Sequence, residues 1–228
     1  MKVETLHPWP ATPGEAEEIQ QKLRPLLDLD SPGPAAPRTV AGLDVAYEKG
    51  TDRLAAAVVV LDAATLQPLE ESVVIGAAAF PYVPGLFAFR ELPALVEALK
   101  KLTVTPDLLV CDGHGLAHPR RFGLACHLGV LTGLPSLGVA KTHLLGSHEP
   151  VGERRGSSAD LRHEGQVVGR VLRTQDGVRP VYVSVGHRIG LENACRQVLA
   201  LSPRYRLPET TRRADRLSRR ALEQRGSR

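Results

Sequence analysis

The sequence predicts an α/β fold in which a mixed β-sheet, part antiparallel meander and part parallel strands, is flanked by helices. Two observations carry the prediction. Three stretches rich in Val, Ile and small residues follow one another with only short polar connections, which favours antiparallel neighbours. Further along, an apolar run, a helical pattern and a second apolar run occur in succession, as in a parallel βαβ unit.

The elements follow in order along the chain. A helix is predicted over residues 13–27, then a Pro/Gly/Ala loop over 31–38. Strands over 39–47, 54–61 and 69–78 are joined by connections at 48–53 and 62–68. After the turn at 81–85, a helical pattern over 86–102 places Leu92, Leu95, Val96 and Leu99 on one face. The βαβ unit comprises a strand at 108–111, a helix at 120–132 and a strand at 136–140. A second β section over 166–173 and 181–185 precedes helices at 191–201 and 209–224. With no repeat, low-complexity tract or linker, residues 1–228 read as one domain with a basic C-terminal helix from about 209.

Composition narrows the class. A chain of 228 residues with 43% apolar content can bury a substantial core. No segment approaches the roughly 18 apolar residues of a membrane span, and the N-terminus lacks the apolar core of a secretory signal. Cys111, Cys126 and Cys195 form an odd set in apolar surroundings, as expected of free thiols in a reducing compartment. The expectation is a cytoplasmic monomer with no membrane partner.

Charge is unevenly placed. From Pro203 onward nine Arg face only Glu209, Asp215 and Glu223, a net +6, whereas the preceding residues carry 20 basic against 22 acidic groups, a net −2. Such a segment suits nucleic acid. A solvated helix face in an Arg-preferring composition fits it equally, since only six of the 29 basic residues are Lys.

The chemistry centres on residues 106–141. A buried strand ends on Asp112, Gly113-His114-Gly115 follow, and Arg120-Arg121 lie within nine residues. That arrangement presents a ligand or catalytic group beside a phosphate site, or caps a helix with a plain turn. Three further acids join it. Asp44 lies in mid-strand, where an ionised carboxylate is costly without a partner. Glu91 shares the inward side of its helix with Leu95. Asp215 falls on the edge of the narrow apolar arc of Ala214, Leu217, Ala221 and Leu222. Each acid alone reads as structural. Jointly they favour a site for a hard cation, Mg²⁺ or Mn²⁺, that recruits phosphate oxygens. Cys111, His114, His118 and Cys126 form a rival zinc set, but the spacing C-x₂-H-x₃-H-x₇-C fits no common finger pattern. His118 and His187 read better as groups supporting the site or contacting phosphate. By fold-level analogy the acids on an α/β sheet match a ribonuclease H-like nuclease.

Five blocks are more specific. Gly42-Leu43-Asp44-Val45-Ala46-Tyr47 is followed by residues 81–91, PYVPGLFAFRE, and by residues 112–121, DGHGLAHPRR. Gly138-Val139-Ala140-Lys141 and Val183-Ser184-Val185-Gly186-His187-Arg188 complete the set. In this order and spacing the chain resembles endonuclease V, a family that recognises deaminated adenine, the hypoxanthine base of inosine, in nucleic acid.

The resemblance implies roles for particular residues. Asp44 and Asp112 match the metal ligands for Mg²⁺, with Mn²⁺ able to substitute. Glu91, Asp215 and Lys141 match catalytic positions. The family carries either His or Asp where this chain has Asp215, and the Lys141 ammonium would stabilise charge developing on phosphate. Pro81-Tyr82-Val83-Pro84 corresponds to a Pro-Tyr-Ile-Pro wedge. Such a wedge fills the gap left by a flipped base, although a Tyr between prolines is otherwise an ordinary turn residue. Gly85, Gly113 and Gly123 would let the main chain approach the flipped base, or serve turns and packing. His118 and Arg120 join the expected nucleic-acid contacts. The implied activity is cleavage of a phosphodiester on the 3′ side of hypoxanthine in DNA. An inosine-specific endoribonuclease and a non-catalytic inosine-binding protein are the alternatives.

Overall fold

A computed structural model describes residues 1–224; Arg225 and Arg228, the last charges of the basic segment, lie outside the described residues. Eight strands form one mixed sheet: β1 (Thr39–Tyr47), β2 (Arg53–Asp62), β3 (Pro68–Ala77), β4 (Leu108–Cys111), β5 (Ser136–Ala140), β6 (Ser158–His163), β7 (Gln166–Leu172) and β8 (Val181–His187). Their spatial order is β3-β2-β1-β4-β5-β8-β7-β6. The meander β1–β2–β3 is antiparallel, β1, β4 and β5 run parallel, and β8, β7 and β6 return antiparallel. Central strands are apolar on both sides because both faces are covered. On β2, Ala56, Val58 and Val60 face one core while Val59 and Leu61 face the other.

Helices α2 (Ala88–Lys100) and α3 (Leu124–Thr132) cover one face. Helices α4 (Leu191–Ala200) and α5 (Glu209–Glu223) cover the other. Helix α1 (Pro13–Leu23) packs on a cluster containing Phe80, Phe89 and Phe122. Among the described residues no helix is long and apolar enough to cross a membrane.

Four elements differ from the sequence-based expectation. Helix α1 stops at Leu23 and continues only as a short 3₁₀ turn, because Pro25 has no N–H to extend the ladder. Helix α2 begins at Ala88, after a turn in which the Leu86 N–H donates to the Val83 carbonyl. Helix α3 begins at Leu124 rather than residue 120. Its first amides are taken by the loop before it: the Ala125 N–H donates to the His114 carbonyl at 3.1 Å, and that of Gly123 to the Gly115 carbonyl at 3.0 Å. Gly123 is thus the residue capping the helix, not a position within it. The sequence pattern does not predict strand β6. Its sequence, SADLRH, has little apolar alternation, and it pairs with β7 through Glu164 and Gly165, both at positive φ, as a two-residue hairpin turn requires.

Candidate active site and nucleic-acid interface

Because β1, β4 and β5 are parallel, their carboxyl ends share one edge of the sheet, where open α/β sheets place ligands. Asp44 on β1, Asp112 just past β4 and Lys141 just past β5 all lie there. The register makes Leu43 the partner of Cys111, and the Asp112 N–H donates to the Leu43 carbonyl at 3.2 Å. Strand β1 alternates faces, so Gly42 and Asp44 point the same way, toward α5. A Cβ at Gly42 would lie 2.2 Å from the Thr210 backbone, so its absence lets α5 close on the strand. That approach brings Ser218 of α5 to Asp44, donating its hydroxyl at 2.9 Å.

Asp44 is buried, and desolvation with the neighbouring Asp112 charge raises its carboxyl to about 7. Glu91, in the first turn of α2, is also buried. Desolvation, followed by Asp44 and Asp112, pushes its carboxyl well above the ordinary range. For Lys141 burial is the largest single influence and acts to lower the ammonium pKa, but the charge and hydrogen bond of Asp112 together with the charges of Asp44 and Asp215 outweigh it, and the net shift is upward. Lys141 is ion-paired to Asp112. Asp215 of α5 is half-buried and accepts from Arg219 Nε at 2.9 Å. The five residues therefore share one end of the sheet and feel each other's charge. As the side chains stand, no three acids among the described residues close into a metal cage, with Asp112 drawn to Lys141 and Asp215 to Arg219. The donors are nonetheless hard carboxylates that repel without positive charge between them, so they fit a cation sharing its shell with water and phosphate.

Two hollows meet here. One is a cleft of about 560 Å³ whose walls include Asp112, Lys141, Asp215, Arg216, Arg219 and Arg220. The other is a cavity of about 300 Å³ between the 82–88 turn and residues 142–144, floored by Gly113, His114, His118 and Gly123, with Glu91 and Asp112 at its inner side. Tyr82, Pro84 and Gly85 belong to its rim. Tyr82 is 70% exposed and stands edge-on to Phe87 with centroids 5.6 Å apart. Pro81 is exposed and does not line the cavity.

The rim is held from behind. Gly85 sits at φ +77°, and its carbonyl accepts from His118 Nε2 at 2.9 Å, Arg120 Nη2 at 2.8 Å and Gln20 Nε2 at 3.2 Å. That carbonyl is therefore unavailable to a base. Arg120 also donates to Gln20 Oε1 and to Glu17 at 3.1 Å. Its guanidinium is engaged with the wedge turn rather than free for a phosphate. Arg121, at φ +54°, is buried against the His163 carbonyl and Glu164, so the basic pair does not form a joint phosphate site. His118 accepts from the Arg120 N–H on Nδ1 while Nε2 donates, which fixes a neutral ring. Burial and the Arg120 charge lower its pKa to about 4. His187 lies at the opposite end of the sheet, facing Ser136, with Nδ1 accepting from the Asp28 N–H at 3.1 Å. Its place is structural and remote from the acids.

Several residues of the site gave no signal in sequence. Ser218 lies one turn beyond Asp215, and a serine on an Arg-rich helix carries no mark that separates it from a solvated residue. Gln20, a buried amide on α1, had no local marker. His143 also had no marker; it lines the cavity together with His114, which belongs to the 112–121 block. Burial, followed by His143, lowers His114 to about 4, and its Nδ1 is buried without a partner. Among the described residues no zinc set forms: Cys111, His114, His118 and Cys126 do not converge, and the Cys126 thiol is directed at the Arg121 and Val185 carbonyls.

Acids gathered at the carboxyl ends of central strands, on a mixed sheet sandwiched by helices, define the ribonuclease H-like class of nucleases. The endonuclease V family model matches residues 21–216. Endonuclease V from Streptomyces avermitilis is 58% identical over 218 residues, covering 95% of each chain. Its crystal structure superposes with a TM-score of 0.92 at 55% identity over 100% of both chains. Endonuclease V from Ciona intestinalis, solved with a 24-nucleotide DNA containing an inosine followed by a ribo-adenosine, gives 0.81 at 26% identity over 92% of this chain and 98% of that one. The chain belongs to the endonuclease V family. It is an enzyme that acts on phosphodiester bonds.

Proposed function

We propose that the protein is a Mg²⁺-dependent endonuclease that takes a hypoxanthine base out of DNA and hydrolyses a phosphodiester on its 3′ side. One observation carries this reading: the wedge-rimmed cavity and the basic cleft share Asp112. A base held in the first leaves its 3′ phosphate at the carboxylates. The complex of the Ciona relative with inosine-containing DNA supports the same substrate.

Tyr82, exposed on a turn fixed by Gly85, fills the gap in the stack, and the cavity takes the displaced base. Unstacking costs a few kcal/mol, which aromatic stacking partly offsets. Asp44 and Asp112 would hold Mg²⁺, or Mn²⁺ in its place. When bound, the cation supplies positive charge to the phosphate and a water of lowered pKa. Lys141 Nζ stabilises charge developing on the phosphate oxygens. Asp215 orients the attacking water from the α5 side. Glu91, whose carboxyl holds a proton more firmly than an exposed one, exchanges a proton on the α2 side.

The test compares matched inosine-containing DNA and RNA strands, each with Mg²⁺ and with chelator. Lesion-dependent cleavage of DNA that stops on chelation is the expected result. Cleavage confined to RNA would replace the substrate, and cleavage in chelator would overturn the metal.

A further inference from the structure

The basic cleft does not end at the acids. It shares Leu207, Arg212 and Arg216 with a second hollow of about 480 Å³. That hollow in turn shares Arg204 and Tyr205 with a third of about 490 Å³. We propose that this succession is a track for the DNA strand on the 3′ side of the lesion, with Tyr205 as a stacking platform and Arg204 as a phosphate contact. The proposal rests on the inosine-nuclease reading above and extends it to the length of strand engaged.

Charge supports the track. Arg204, Arg216 and Arg220 make no ion pair among the described residues. The acid of the second hollow, Glu209, is already held by Arg212 at 2.6 Å and Arg213 at 3.1 Å. In the third, the Asp176 carboxylate accepts the Arg155 N–H. Glu223 in the cleft and Asp176 in the third hollow keep their charge, but the surplus along the succession is guanidinium, which attracts a polyanion.

The aromatic group is presented rigidly. Tyr205 is 51% exposed, and the Arg212 guanidinium carbon lies 3.6 Å from the ring centroid, covering one face. The loop carrying it is pinned through its carbonyls: Gln175 donates to Ser202 at 2.8 Å and Tyr205 at 3.1 Å, and Thr174 donates to Arg206 at 2.6 Å. An aromatic ring on fixed backbone amid unpaired Arg is the arrangement of sequence-tolerant strand binding. Direction follows from topology. A strand with its base in the cavity and its scissile phosphate at Asp112 continues into the cleft, and cleavage lies on the 3′ side of the base.

The test uses inosine DNA strands extending about two or about twelve nucleotides 3′ of the cleaved bond, lengths below and within the roughly 4–16-nucleotide footprint of a strand-binding groove. A third strand carries the long extension on the 5′ side instead. Single-turnover cleavage in Mg²⁺ is measured against enzyme concentration. The wild type should half-saturate at a roughly tenfold lower concentration on the long 3′ strand, a gain that shrinks with salt. A double variant, Arg204→Ala with Tyr205→Ala, should lose most of that gain while melting like the wild type; Arg204→Gln alone should lose part of it. An undiminished gain in both variants, or a gain only from the 5′ extension, would overturn the track. Lesion-dependent cleavage with no flank effect would overturn it while leaving the nuclease reading intact. No cleavage of any inosine strand by the wild type would overturn both.

Discussion

The cavity and the cleft that meet at Asp112 are built in different ways. The cleft is made by regular structure: carboxyl ends of parallel strands on one side, the Arg-rich face of α5 on the other. The cavity is made by turns, with Gly85, Gly113 and Gly123 in its wall, and its rim is fixed by hydrogen bonds to one carbonyl. The first is rigid through the sheet and charged. The second is mostly apolar and is only as well defined as the Gly85 clamp. The contrast teaches that chemistry and recognition can be damaged separately, with Asp112 the place where they join.

The largest effect should come from the acids. Asp44→Ala or Asp112→Ala should lower single-turnover cleavage in Mg²⁺ by about a thousandfold or more, on the order of 4 kcal/mol. Binding to an inosine-containing duplex, followed by fluorescence polarisation, should survive. Near-normal turnover by either variant would break the assignment of the cleft. Asp215→Ala should follow at about a hundredfold, and Asp215→His should recover part of it, since either side chain can accept a proton or ligate. If Asp215→Ala shifted lesion preference instead of rate, the division between the two hollows would fail.

That division also sorts what was legible in the sequence. Asp215 is placed by helical periodicity, Asp44 by its position in the middle of an apolar strand and Asp112 by the end of one, because regular elements repeat their orientation residue by residue. The Asp112–Gly123 turn has no such period. The helix pattern was extended back to residue 120, when loop carbonyls in fact cap α3 at Gly123. Arg120 read as a phosphate contact because its partners, Gln20, Glu17 and Gly85, come from 35 to 103 residues away. Edge strand β6 buries too little to carry alternation, and only its Glu164-Gly165 turn marked it. The resemblance supplied the wedge and the pocket, which composition and spacing alone left as ordinary turn residues.

Burial of Asp44 gives a stability prediction on the cleft side. Its folded carboxyl titrates near 7 against an ordinary 3.8, so the metal-free folded state binds more protons across that window than the unfolded one. Asp44's contribution to stability should therefore be fully present below about pH 4 and be lost toward pH 7, by an amount on the order of a few kcal/mol. Glu91, shifted the same way, adds to the decline. Asp44→Asn should flatten the curve and melt higher than the wild type at neutral pH in chelator. An Asp44→Asn variant whose melting varied with pH just as the wild type's does would show that the acids are not crowded as described.

On the cavity side, Tyr82→Ala should reduce the preference for inosine-containing over undamaged duplex by about 1–3 kcal/mol, the worth of one stacked base. Cleavage at saturating enzyme should fall much less, because Tyr82 holds no position among the acids. Loss of saturated cleavage with preference unchanged would place Tyr82 with the metal site and dissolve the contrast.

Gln20→Leu should give the smallest effect and the sharpest test of how the rim is held. The side chain is buried, bonds the carbonyls of Gly85 and Phe122, and receives Arg120. It touches neither hollow. Replacing it with an apolar residue of similar size removes a donor from Gly85, a donor from Phe122 and an acceptor from Arg120, a loss of about 1–3 kcal/mol in hydrogen bonding. If the clamp only supported the fold, the melting temperature would drop and both hollows would suffer alike. If it positions the wedge, the enzyme concentration needed for half-saturation on inosine DNA should rise several-fold while the saturated rate stays near wild type. Gln20→Glu, which keeps an acceptor for Arg120, should restore part of the affinity. Equal losses of affinity and saturated rate in Gln20→Leu, unrelieved in Gln20→Glu, would mean that cavity and cleft are one mechanical unit.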